Sequence, residues 1–334
     1  MAELRLLIVK LGSLGDIIFT LPAVAALRQA FPEAQLDWVV EQRWQPLLAA
    51  NPDVSAVLVP RPDGAGRLLE LAAQVRARGY QIVVDFQGLY KSALLTWWSG
   101  APRRVGFSGQ FAREPAASLF YTDRVRPRGR HMVEQNLELA RALGAPDLPP
   151  RFPLVVPAEA EQRVAARLAA AGVREYFVMS PGGGWRSKCW PPERYGQLHR
   201  VLTERWGWRG VVNFGPGERP LAEAVCRAAG DRPPLVLELN LEELMALLRR
   251  ARLMIAGDTG PLHLAVALGT PVVGLYGPTP PERNGPFNPA DVVVRNARPE
   301  ETTLRRGRRY SRAMLSITVE QVVEAVERRL GGLR

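Results

Sequence analysis

Gly257-Asp-Thr-Gly-Pro-Leu-His-Leu-Ala-Val-Ala-Leu-Gly-Thr-Pro-Val-Val-Gly-Leu-Tyr-Gly-Pro-Thr279 follows the apolar run Leu253 to Ala256, and the whole reads as strand, turn, helix and strand in unbroken order. Asp258-Thr259-Gly260 is the turn. Pro261 sits where a first helical residue tolerates a missing N–H, Leu262 to Leu268 supplies the helix, and Gly269 stops it. A helix N-terminus therefore points out of a sheet's carboxyl edge, where open α/β sheets bind ligands. Backbone N–H groups at Thr259 and Gly260, with the positive end of the helix dipole, suit a phosphate. A plainer reading also fits these residues: Asp258 caps the helix and His263 packs inside its first turn.

The same alternation runs through the rest of the chain. Strand patterns lie at Leu4 to Lys10, Gln35 to Glu41, Val54 to Pro60, Gln81 to Gln87 and Arg103 to Phe107, with helical patterns at Ile17 to Ala30 and Gly66 to Arg78. After Pro149-Pro150-Arg-Phe-Pro153 and Pro157 the pattern restarts. Strands are predicted at Tyr176 to Ser180, Gly210 to Phe214, Leu235 to Leu239, Leu253 to Ala256, Val272 to Tyr276 and Asp291 to Arg295. Helices fit Glu159 to Ala171, Pro192 to Trp206, Glu218 to Ala229, Leu241 to Arg250 and Thr318 to Leu330. A chain of 334 residues is too long for one core. Two doubly wound, Rossmann-like α/β domains are expected, residues 1–153 and 154–334, facing each other across a cleft. This layout resembles the GT-B arrangement of nucleotide-sugar enzymes, although a fold alone does not give a reaction.

Composition narrows the chemistry. The apolar run at the amino terminus is broken by Arg5 and Lys10, too short for a signal-peptide core, so neither export nor a membrane span is expected. Cys189 and Cys226 share no ligand-like spacing, and His131, His199 and His263 are scattered, so no metal site is expected. Formal net charge is +11, with arginines concentrated at 124, 126, 128 and 130 and at 305, 306, 308, 309 and 312. Such clusters are either solvated faces or contacts to a polyanion. No nucleic-acid-binding motif accompanies them, so nucleic acid is not an expected partner. Of 44 basic residues only Lys10, Lys91 and Lys188 are lysine, and each falls near a motif, where a compact ammonium suits a phosphate oxygen.

Three further segments follow predicted strands. Lys10-Leu-Gly-Ser-Leu-Gly-Asp16 lacks the Gly-x-Gly-x-x-Gly spacing of dinucleotide sites, which removes support for a nicotinamide or flavin cofactor. Asp16 can take a proton from an attacking hydroxyl or cap the following helix, which Pro22 should kink. Ser180-Pro-Gly-Gly-Gly-Trp-Arg-Ser-Lys-Cys-Trp-Pro-Pro-Glu-Arg194 lets backbone approach a ligand at Gly182 to Gly184 and carries Lys188, or is a surface loop. In Phe214-Gly-Pro-Gly-Glu-Arg-Pro-Leu221, Glu218 can accept two ribose hydroxyls or complement a helix dipole.

Lys10 to Pro22, Asp85-Phe-Gln-Gly-Leu-Tyr-Lys-Ser-Ala93, Arg113-Glu-Pro115, Lys188-Cys-Trp-Pro191 and Gly257 to Thr279 together resemble the family 9 glycosyltransferases, the heptosyltransferases of lipopolysaccharide core assembly. Asp37-Trp-Val-Val-Glu41, the Gln-Gly-Leu-x-Lys-Ser run and Arg-Glu-Pro before Ser118-Leu-Phe-Tyr121 are most similar to the heptosyltransferase I branch, which joins the first heptose to Kdo on lipid A. Tyr310-Ser-Arg-Ala-Met314 departs from the pattern, lacking a cysteine that many relatives carry. The resemblance implies a GT-B fold, ADP-heptose as donor, Kdo-lipid A as acceptor, inversion at the anomeric carbon and no essential metal or other cofactor. It implies Asp16 as general base. Donor contacts fall on Ser180, Lys188, Glu218, Asp258, Thr259, Gly260 and His263, and acceptor contacts on Ser13, Lys91 and Arg113. The expected location is cytoplasmic, peripheral on the anionic cytoplasmic face of the inner membrane. Transfer to core heptose, as by heptosyltransferases II and III, is the alternative within the family. Outside it stand a GT-B nucleotide-sugar epimerase and a non-enzymatic anionic-surface-binding protein.

Overall fold

A computed structural model describes residues 3–60 and 67–331. The chain divides into two compact units, Met1–Val155 and Val156–Arg334. The proline-rich segment before the division is tied to the first unit: Asn51 Nδ2 donates to the Pro153 carbonyl at 2.9 Å, and Arg151 pairs with Asp53 at 2.8 Å.

The first unit carries β1 (Arg5–Val9), β2 (Gln35–Val39), β3 (Ala56–Leu58), β4 (Ile82–Asp85), β5 (Arg103–Phe107) and β6 (Asp123–Val125) in one parallel sheet of order β3-β2-β1-β4-β5-β6. The second carries β7 (Tyr176–Ser180), β8 (Arg209–Phe214), β9 (Leu235–Glu238), β10 (Leu253–Gly257), β11 (Val272–Tyr276) and β12 (Val292–Arg295), parallel in the order β12-β11-β10-β7-β8-β9. Counted from its own first strand, each sheet runs 3-2-1-4-5-6, the doubly wound order. The order reverses between β1 and β4, and again between β7 and β10. Strands covered on both faces read as continuous apolar runs, and Leu6 to Val9 and Leu253 to Ala256 are fully buried for that reason.

One sequence expectation needs correcting. The helical pattern from Ile17 is not one kinked helix: Leu14–Ile18 ends before Leu21–Ala30 begins, and Pro22 lies in the first turn of the second helix, where its missing N–H costs nothing. The helix expected from Gly66 is described as Arg67–Ala77, and Gly66 itself lies outside the described residues. Strand β6 and the helices Tyr90–Trp98 and Met132–Arg141 were not among the predicted elements. The three-residue edge strand β6 is hidden in the sequence because its alternation with exposed Arg124 and Arg126 reads as a charge cluster.

Candidate functional site

At the reversal point of the second sheet, three loops leave neighbouring carboxyl ends and pack on one another. Lys188, in the 3-10 turn Arg186–Lys188, extends its ammonium to Asp258 Oδ2 at 2.5 Å and lies 4.2 Å from the Trp185 ring centroid. Asp258 Oδ1 meets His263 Nε2 at 3.0 Å. Burial alone would raise the Asp258 carboxyl, but His263 and the Lys188 ammonium outweigh it and hold the group well below the usual carboxylate range. An ionised carboxylate only accepts, so His263 presents Nε2–H to it.

Asp258 is not the helix cap. Thr259 occupies the N-cap of Gly260–Ala267 with extended backbone, and Pro261 falls second in the helix. This leaves Asp258 behind the helix start, where it fixes Lys188. Gly257 makes that approach possible, because a Cβ there would lie 2.5 Å from the Lys188 carbonyl oxygen.

Glu218 closes the third side. Its Oε1 accepts from Gly183 N at 2.9 Å and its Oε2 from Gly215 N at 2.8 Å, joining the loops after β7 and β8. Gly182 leaves the space for it, since a Cβ at that position would fall 2.1 Å from the carboxylate. Among the described residues, Ser180 Oγ, Ser187 Oγ, Thr259 Oγ1 and Thr279 Oγ1 are buried without a hydrogen-bond partner. Each such group costs about 1–3 kcal/mol unless a partner is supplied, so hydroxyls gathered at a sheet's ligand edge mark a surface built for an oxygen-rich ligand. Cys189 adds no nucleophile, because burial pushes its thiol up to about 11.

In the first unit the loops after β1 and β4 meet in the same way. Gln87 Oε1 accepts from Leu11 N at 3.1 Å and Gly12 N at 3.3 Å, and Lys10 Nζ donates to the Phe86 carbonyl at 2.8 Å. Asp85, fully buried, accepts from Gln87 N, Gly88 N and the Tyr121 hydroxyl, which fixes the loop. Asp16 stands at the third position of the helix Leu14–Ile18, and Ser13 is the N-cap. Asp16 Oδ2 accepts from both Ser13 N and Ser13 Oγ at 3.1 Å, and Arg113 lies 4.0 Å away. Burial would raise this carboxyl, yet the charge of Lys10, the Ser13 N–H, the charge of Arg113 and the Ser13 hydroxyl together lower it. Asp16 is thus held as a carboxylate, with its side chain 27% exposed.

A model of glycosyltransferase family 9 (heptosyltransferase) matches residues 68–314. Lipopolysaccharide heptosyltransferase 1 of Pseudomonas aeruginosa is 35% identical over 304 residues, covering 86% of this chain and 83% of that protein. The chain belongs to glycosyltransferase family 9. Lipopolysaccharide heptosyltransferase 3 of Escherichia coli K12 is 28% identical over 276 residues, 79% of this chain and 80% of that one. The structure of E. coli heptosyltransferase WaaC with ADP-2-deoxy-2-fluoro heptose superimposes with a TM-score of 0.75 at 30% identity, covering 97% of this chain and 99% of that chain. This family 9 member is therefore a glycosyltransferase of the heptosyltransferase class, built on the two parallel sheets of the GT-B fold.

Within this heptosyltransferase, the seven residues expected at the donor stand at the carboxyl edge of the second sheet: Ser180 ends β7, Lys188 and Glu218 lie on the segments after β7 and β8, Asp258 and Thr259 follow β10, and Gly260 and His263 lie in the helix Gly260–Ala267. Ser13, Asp16 and Arg113 come together around the loop after β1. Lys91 is exposed in the first turn of Tyr90–Trp98, on the loop side of β4. Gln87, Asp85 and Tyr121 had no assigned role in the sequence reading, nor had the hydroxyls of Ser187 and Thr279. Asp85 and Gln87 sit inside a quoted motif, but their roles depend on partners 36 and 76 residues away. Among the described residues, no group of three or more His, Cys, Asp or Glu side chains could hold a metal ion.

Proposed function

We propose that this enzyme transfers heptose from ADP-heptose to the Kdo of a lipid A acceptor, with inversion. The carrying observation is the cradle of Lys188, Asp258, His263 and unpartnered hydroxyls at the start of the helix Gly260–Ala267. An ammonium, a helix N-terminus and unpartnered hydroxyls at one sheet edge suit the charge that a nucleoside diphosphate gains as it leaves. In this reading residues 154–334 hold the donor and residues 1–153 the acceptor.

Asp16 takes the proton of the acceptor hydroxyl as its oxygen bonds to the anomeric carbon. The bond from that carbon to the ADP oxygen breaks, and ADP leaves with the electron pair. Lys188, Thr259 and Gly260 stabilise the departing diphosphate, and the Glu218 carboxylate faces the ribose. Ser13, Lys91 and Arg113 meet the acidic acceptor. The higher identity to a heptosyltransferase 1 than to a heptosyltransferase 3 supports Kdo rather than a core heptose as the acceptor sugar.

The arginines at 124, 126, 128 and 130 and at 305, 306, 308, 309 and 312 are all exposed. They support reversible attachment to the anionic cytoplasmic face of the inner membrane, at about 1 kcal/mol per cation near the surface. No helix among the described residues is long and apolar enough to cross a membrane. Calorimetry with ADP and UDP tests the donor half of the proposal: ADP should bind more tightly, and tighter binding of UDP would overturn it.

A further inference from the structure

Tyr90 and Trp97 lie seven residues apart on the helix Tyr90–Trp98 and so share a face. Each is about half exposed, at 52% and 51%. Phe120, ending the neighbouring 3-10 turn Pro115–Phe120, stands edge-on to both rings with centroids 5.5 and 6.4 Å away, and Leu119 beside it is 71% exposed. Tyr90, Trp97 and half-buried Phe120 thus form one ring cluster at the surface with exposed Leu119 adjoining it, which a water-facing surface does not require.

Cations surround it. Lys91 is exposed in the same helical turn, and Arg104 Nε donates to the Phe120 carbonyl at 3.0 Å. Arg124 is exposed on the edge strand beyond. Of the nearby acids, Asp123 is paired with Arg103 at 3.6 Å, while Glu114 accepts from Tyr90 N at 2.5 Å and keeps its charge. A second copy docked symmetrically here would set these cations against themselves. Tyr and Trp rings ringed by Lys and Arg instead match the interface of an anionic bilayer, where amphipathic rings settle at headgroup level.

We propose that Tyr90, Trp97, Leu119 and Phe120 form a foot that inserts into the headgroup region of an anionic membrane, with the flanking cations on lipid phosphates. The inference rests on the lipid-linked acceptor proposed above. The foot's helix begins beside the loop carrying Arg113, so insertion holds the acceptor side of the first unit at the level of the lipid's sugars.

The test is cosedimentation with phosphatidylglycerol–phosphatidylcholine vesicles, comparing wild type with a Trp97→Ser, Leu119→Ser variant at low salt and at about 0.5 M salt, where screening is nearly complete. Both side chains are exposed, and Leu119→Ser alone replaces the pair should the double variant fail to fold. Wild type should keep part of its binding at high salt, and the variant should lose at least about tenfold of that part. Brominated lipid should quench wild-type fluorescence more than that of Trp97→Phe. Equal binding by wild type and variant, or no difference in quenching, overturns the foot. So does concentration-dependent self-association, without vesicles, that the variant abolishes. Heptosyl transfer to a deacylated, water-soluble acceptor should be unchanged in the variant. If wild type fails that transfer, the proposed function falls while the vesicle result still stands or falls alone.

Discussion

Asp16 is kept ionised by Lys10, Ser13 and Arg113 against the cost of its burial, so the acidic limb of kcat/KM should lie below the usual aspartate range. Protonation removes the base, and activity falls as pH drops through that depressed value. Arg113→Ala removes one of the lowering charges and should move the limb to higher pH, read from a pH–rate profile. Asp16→Asn can still accept the Ser13 N–H, so folding and ADP affinity should survive while kcat drops about 10²–10⁴-fold. Near-normal turnover by this variant would mean that Asp16 only organises its helix. Lys188 is bound to Asp258 at 2.5 Å, so Lys188→Ala does two things: it removes a charge-assisted phosphate contact worth about 1.5–3 kcal/mol and leaves Asp258 facing the donor. Asp258→Asn in that background should therefore recover part of the lost ADP affinity, measured as a double-mutant cycle. Strictly additive losses would contradict this coupling. At this scale the sequence identified Asp16 and Lys188 as candidates from their place in short motifs. It did not reveal that Asp258 pairs with Lys188 or that Asp16 closes a capping box from the third helical position, with Ser13 as the N-cap, because those facts depend on the fold and on where the helix begins.

Loops and strand ends are held by close backbone approaches, and these should respond to small additions of volume. Gly257→Ala places a methyl 2.5 Å from the Lys188 carbonyl, a backbone atom that cannot rotate away. The variant should lose about 1–3 kcal/mol of stability in urea unfolding and bind ADP more weakly, whereas unchanged values would show that β10 and the Lys188 loop can separate freely. Elements with a strong apolar period were legible. Tyr176–Ser180, Pro192–Trp206, Leu241–Arg250 and Val272–Tyr276 lie where the pattern put them. The missed helix Tyr90–Trp98 carries apolar residues on an exposed face as well as a buried one, which blurs its period. Pro22 misled because a proline two turns into a pattern reads as a kink, whereas the chain restarts a helix there.

The two units repeat one strand order on different sequences, and each places its motifs at the reversal point of its own sheet. The second unit is closed by the helix Val319–Gly331, which Arg329 anchors to Asp291 at 2.7 Å, with Asp291 also accepting from Val272 N. Arg329→Ala would strand a buried carboxylate and should cost about 3–5 kcal/mol in chemical denaturation; a loss under 1 kcal/mol would show that the helix is held by apolar packing alone. Apart from the edge strand β6, both sheets were legible from the alternation of strand and helix patterns, while this long-range ion pair was not, since its partners are 38 residues apart with no local signal. The most direct test of the whole account is mass spectrometry of purified enzyme incubated with ADP-heptose and lipid A bearing Kdo but no heptose. The account predicts one added heptose on the acceptor and stoichiometric release of ADP. No addition to that acceptor, with addition only to one already carrying heptose, would contradict it.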